Sequence, residues 1–166
     1  MDLVMELDGF LDKEFCEEII NKAEQETRTN EYGLNICRYR EWNEITDKLR
    51  KSIKLGHSKY IEWLNVILPK IPDKIINAEN IDFRIENHAT GYEWISPLFN
   101  NESQYIFFIH LNDISEGGET NFLYKKVQPK TGKLVVFPST WTSFHMGLPA
   151  ENNKYVIIGS FYSKAP

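Results

Sequence analysis

Residues 132–162, GKLVVFPSTWTSFHMGLPAENNKYVIIGSFY, hold two strongly apolar runs joined by a turn-rich connection that carries a lone histidine, His145. Each run is short, rich in Val, Ile and Phe, and bounded by Gly, Pro or Asn, which reads as a buried strand rather than a helix. SFHMG makes a further short strand between them, and Lys154 stands directly before the second run. An imidazole in an apolar stretch and a lysine at a strand entry are the two features that composition alone does not explain.

The strand-like period extends upstream from this stretch as far as Ile81, through IDFRIENH, GYEWIS, YIFFIHLND, ETNFLY and KVQP. With the three strands already named this makes about eight, the count of a sandwich or barrel of the jelly-roll kind. Gly117-Gly118 supplies a turn before Glu119, and Thr131-Gly132 supplies another before Leu134.

The first half of the chain follows a different period. A short apolar strand ends near Phe10-Leu11, Asp12 can cap a helix, and Phe15, Ile19, Ile20 and Ala23 recur at helical spacing. ICRYREW reads as a short strand, and from Asn43 a second helical pattern runs through Ile45, Leu49, Ile53, Tyr60, Leu64 and Ile67, with Gly56 expected to break or bend it. Helices followed by a compact set of strands predict an α+β fold: one domain over 1–166, with 1–80 a helical support region and 81–166 the jelly-roll core.

At 166 residues the chain can bury one sizeable core, and 42% hydrophobic with 13% aromatic residues is the make-up of a globular protein. The net charge of −5 argues against a broad grip on nucleic-acid phosphates, while leaving a local basic patch open. MDLVMELDGF carries acids where a secretory leader needs bases, and no apolar run approaches a membrane span, so a cytoplasmic protein without a membrane partner is expected. Cys16 and Cys37 lack CxxC spacing and read as free thiols.

Taken in order, HLND, EGGETNF, VQPKTGKLVVFP, FHMGLP and KYVIIGSF resemble the catalytic half of the Fe(II)- and 2-oxoglutarate-dependent dioxygenases, in particular the prolyl-4-hydroxylase-like branch. The resemblance covers roughly the last half of the chain, with LDGFLDKEFCEEII a looser match to the helical lead-in. It implies a double-stranded β-helix whose mouth binds iron through two histidines and one carboxylate, a set that leaves three positions on the metal for the keto acid and dioxygen. Within it, His145 matches the distal metal histidine and Lys154 the basic residue facing the far carboxylate of 2-oxoglutarate. His110 falls where relatives often place a tyrosine that touches the same cosubstrate.

The other end of the site departs from the pattern. In Gly91-Tyr92-Glu93-Trp94-Ile95-Ser96-Pro97, Ile95 stands where the first histidine of an HxD motif belongs and Pro97 where its aspartate belongs. Neither side chain can ligate iron. One neutral imidazole without a carboxylate is a poor ferrous site, so 2-oxoglutarate is the expected cofactor and Fe(II) is not expected to be held in the usual way. A displaced set of His110, His145 and Glu93 is the conceivable repair, because strand parity puts Glu93 on the face of Ile95.

Without the resemblance, His145 reads as an ordinary half-buried strand histidine, Lys154 as a solvated lysine, His57 and His88 as helix-surface or loop residues, and Trp94, Trp141, Phe107, Phe137 and Phe144 as core or pocket wall. Three functions follow: an oxidoreductase that hydroxylates a small-molecule or protein substrate through an altered ligand set, a degenerate member acting as a binding or regulatory module, or a metal-independent enzyme reusing the cleft. An exposed edge strand could support dimerisation.

Overall fold

A computed structural model describes residues 2–96 and 103–163; Pro97 lies outside them. The two helical periods give α1, Lys13–Glu24, and α2, Asn43–Ile67, and a short α3 follows at Asp73–Ile76. The strands are β1 Met5–Leu7, β2 Asn80–Asn87, β3 Tyr92–Ile95, β4 Ser103–His110, β5 Thr120–Phe122, β6 Lys126–Val127, β7 Leu134–Pro138, β8 His145–Gly147 and β9 Tyr155–Tyr162. They form a five-stranded sheet in the order β1-β7-β4-β9-β2 and a four-stranded sheet in the order β3-β8-β5-β6, with every pairing antiparallel. This is the jelly-roll α+β fold that the strand pattern predicts.

Strand parity divides the buried residues into two cores. Tyr105, Phe107 and Ile109 of β4, with Leu134 and Val136 of β7 and Phe83 and Ile85 of β2, face the helices and pack with Cys16 and Ile19 of α1 and Leu49, Ile53, Tyr60 and Leu64 of α2. The alternate residues Ile106, Phe108, Val135, Phe137 and Val156 face the smaller sheet and meet Phe122 and Val127. β4 and β7 are therefore buried on both faces, which is why they read as unbroken apolar runs. His145, His110 and Lys154 belong to the second, smaller core.

Three local readings are corrected. α2 passes through Gly56 unbroken, because that glycine serves packing rather than bending: a Cβ there would come 2.9 Å from Leu134 Cδ2. ICRYREW is not a strand. Leu34 alone bridges to Ile85, and the chain then turns through 3-10 segments, Ile36–Arg38 and Arg40–Trp42, which bring both Ile36 and Trp42 into the core. Asp12 stands at the N-cap of α1, yet its side chain makes no capping bond. Among the described residues no helix is long and apolar enough to cross a membrane.

Candidate functional site

The interior face of the larger sheet carries a polar cluster that strand register places row by row. Arg84 of β2, Ile158 of β9 and Phe108 of β4 form one row, and Glu86, Val156 and His110 form the next. Beyond the ends of the strands, the His88 backbone N–H donates to the Lys154 carbonyl at 2.8 Å, so these two side chains are neighbours in the following row. The smaller sheet answers with Ile95, His145 and Phe122 in one row and Tyr92, Gly147 and Thr120 in another. Sequence reasoning that treats each residue singly finds His145, Lys154 and His110, but misses Arg84, Glu86 and His88. The available signal was the alternation R-I-E-N-H, three polar residues on one face of a strand whose other face, Phe83 and Ile85, is core.

His145 is packed among the rings of Phe122, Phe137, Phe108 and Tyr92, with centroids 5.1 to 5.9 Å away. Its Nδ1 donates to the Ser143 carbonyl at 2.7 Å, which leaves the lone pair on Nε2. Burial, helped by the positive charge of Lys154, lowers its pKa to about 4 despite that bond, so the ring is neutral at neutral pH.

Lys154 is the least accommodated charge among the described residues. Two lysines among them are buried, and Lys133 reaches Glu6 at 3.2 Å and Asp8 at 3.6 Å. The Lys154 side chain, only 1% exposed, has no ion pair or hydrogen bond among the described residues. Burial lowers its pKa to about 8, and the distant Glu119 offsets this only in part. His110 lies in the same space with neither ring nitrogen partnered, and burial followed by repulsion from Lys154 holds its pKa well below the usual imidazole range. The Tyr92 and Thr120 hydroxyls approach each other but do not complete a hydrogen bond, and both are buried. Orphaned polar groups concentrated in one place are rare in folded proteins, and these share a small polar ligand's chemistry.

A cleft of about 940 Å³ opens onto this region, lined by Arg84, Glu86, His88, Tyr92, Ile95, Phe108 and His145 and extending to Tyr32 and Tyr155. Lys154 and His110 do not themselves line it. A hollow of about 610 Å³ between β1 and α2 differs in that its Lys125 is already paired with Asp2 and Glu6, at 3.1 and 3.3 Å.

The residues fit 2-oxoglutarate and iron unequally. A buried ammonium without an ion pair suits a carboxylate. For iron, no three of His, Cys, Asp and Glu among the described residues come together closely enough to hold an ion. Ile95 is the direct cross-strand partner of His145, so the position best placed for a second ligand holds a side chain without a donor atom. The displaced set of His110, His145 and Glu93 does not form. A bulge in β3 makes Tyr92 and Ile95, three residues apart, the ones that line the cleft, and leaves Glu93 exposed.

Other readings are also revised. His88 is not a loop-surface residue: its side chain is 11% exposed and bonds Glu86. His57 is stacked on Tyr105 and donates from Nε2 to the Ile76 carbonyl, 3.1 Å away. Phe107 and Phe137 are core as expected, but Trp141 is 69% exposed, and Trp94 stacks on Phe144 at the rim.

No family profile and no curated protein matches the chain by sequence. Solved structures do match. A viral collagen prolyl hydroxylase from Paramecium bursaria Chlorella virus-1, solved as its 2OG complex, superposes with a TM-score of 0.66 at 20% identity, covering 97% of this chain and 96% of that one. A prolyl-4-hydroxylase from Pseudomonas putida gives 0.65 at 16% identity, over 96% and 84% of the two chains. A prolyl hydroxylase from Trichoplax adhaerens, in complex with a hypoxia-inducible-factor peptide fragment, gives 0.64 at 12%, over 96% and 83%. The chain has the fold of these prolyl hydroxylases.

Proposed function

We propose that this protein is a dioxygenase-fold binder of a small 2-oxo dicarboxylate, with 2-oxoglutarate the ligand to test first, and that it binds without the iron centre the fold usually carries. The observation that carries the reading is the buried, unpaired ammonium of Lys154. The ligand enters by the cleft, and its far carboxylate reaches Lys154. There it supplies the counter-charge that the fold withholds, while the Tyr92 and Thr120 hydroxyls and the His110 ring offer hydrogen bonds to the remaining oxygens. The 2OG complex of the viral neighbour supports this choice of ligand. A cytoplasmic setting and a downstream small-molecule or protein partner belong to the same proposal.

Titration calorimetry with 2-oxoglutarate in excess EDTA tests it. Binding is expected in the wild type and lost in Lys154→Met; binding that needs added Fe(II), or that survives the substitution, overturns it. One observation favours a second reading, an oxygenase with an altered ligand set: the His145–Ser143 bond aims a free Nε2 lone pair at the cleft. Anaerobic Fe(II) titration with a succinate assay separates the two, since iron-dependent succinate formation lost in His145→Ala establishes the oxygenase.

A further inference from the structure

The polar row of β2 has no part in holding a carboxylate, yet its geometry is that of an oriented base. Glu86 bonds His88 Nε2 through one oxygen and accepts the Nε–H of Arg84 at 2.6 Å through the other. Burial raises the Glu86 pKa, but the His88 and Arg84 bonds reverse this and leave it below the usual value, so the carboxylate is ionised and can only accept. Nε2 of His88 is therefore the donor in this contact, and the neutral form of the ring carries its lone pair on Nδ1. Among the described residues Nδ1 has no partner, and the ring lines the cleft edge-on to Tyr92 and Phe108. Its cross-strand neighbour is Lys154.

We infer that Glu86 and His88 form a metal-independent proton-transfer pair that acts on the carbon next to the keto group of a bound 2-oxo dicarboxylate. The inference rests on the carboxylate reading of Lys154. With the far carboxylate on Lys154, the C3 methylene lies toward His88. Its C–H bond breaks, the proton goes to Nδ1, and the bonding pair shifts into C2–C3 as the carbonyl pair moves onto the C2 oxygen. The Tyr92 hydroxyl, kept protonated by burial, donates to that oxygen. Glu86, a positioning residue, balances the imidazolium that forms. Returning a solvent-exchanged proton to C3 restores the ketone, and no oxidant or reductant is consumed.

The test follows 2-oxoglutarate in D2O with EDTA by proton NMR, with calorimetric binding measured on the same samples. The expected result is loss of the C3 signal about 10²-fold faster than in buffer. His88→Gln abolishes this acceleration while the Kd stays within about threefold, and Glu86→Gln lowers the saturated rate, with partial rescue by Glu86→Asp. Bound ligand whose C3 protons exchange at the buffer rate, or exchange unchanged in His88→Gln, overturns the inference and leaves the carboxylate reading standing. Absence of binding removes both.

Discussion

Lys154 shows how one residue records a function against the interest of the fold. Its pKa falls from 10.5 to about 8, so below pH 8 the folded state holds an ammonium that the unfolded chain solvates better. The penalty is on the order of 3 kcal/mol, fully present below about pH 8 and relieved as pH rises toward 10.5. Lys154→Met should therefore stabilise the protein at pH 7 by up to about 3 kcal/mol in urea unfolding while abolishing 2-oxoglutarate binding. Destabilisation by more than about 1 kcal/mol would instead reveal a partner for the ammonium. The same shift sets the pH dependence of binding: a carboxylate needs the protonated lysine, so affinity should be flat below pH 8 and fall about tenfold per unit above it, read by calorimetry from pH 6.5 to 9.5. None of this was legible in the sequence beyond the offset of Lys154 from His145, because a lysine at a strand entry looks the same whether its head is in water or buried.

At the scale of the element, register decides what the sequence leaves open. Helices α1 and α2 and the strands from β2 onward were readable from period, and β4 and β7 announced their double burial by lacking polar alternation. The bulge in β3 was not readable: parity counted from Ile95 put Glu93 in the site, whereas the extra residue turns Tyr92 inward and Glu93 out. ICRYREW misled for a related reason, since its apolar residues satisfy the core through turns that no period describes. Register also makes position 95 testable. Ile95 lies directly across from His145 and is 41% exposed, so an imidazole there would stand beside His145 without overpacking the interior. Ile95→His should create Co(II) or Zn(II) binding that the wild type lacks, measured by metal titration. Unchanged metal affinity in this variant would show that position 95 does not stand beside His145. Gly147 is a second such position: a Cβ would come 2.5 Å from Tyr92 Cε1, so Gly147→Ala should displace that ring and weaken 2-oxoglutarate at least as much as it lowers stability.

Across the whole molecule, the two cores divide the work. The larger one, between helices and sheet, is apolar and supplies most of the burial; the smaller one, between the sheets, holds His145, His110, Lys154 and two unpartnered hydroxyls. A fold arranged this way should be most sensitive to whatever changes the smaller core. His145 and His110 both titrate well below free imidazole in the folded state, through burial above all, so the unfolded chain binds more protons as pH drops below about 6.5. Stability is therefore expected to fall from pH 6.5 toward pH 4, and His145→Gln should flatten that slope. Ligand acts in the opposite direction on the same core. If 2-oxoglutarate neutralises Lys154 in the folded state alone, then at about 100 times its Kd it should add about 2.7 kcal/mol. For a chain of this size that corresponds to a rise in Tm of roughly 5 to 10 °C. The rise should persist in EDTA and vanish in Lys154→Met, whose own Tm should lie above that of the unliganded wild type. A Tm that responds to Fe(II) but not to 2-oxoglutarate would place the function in His145 and its metal, and would leave the buried lysine without a role.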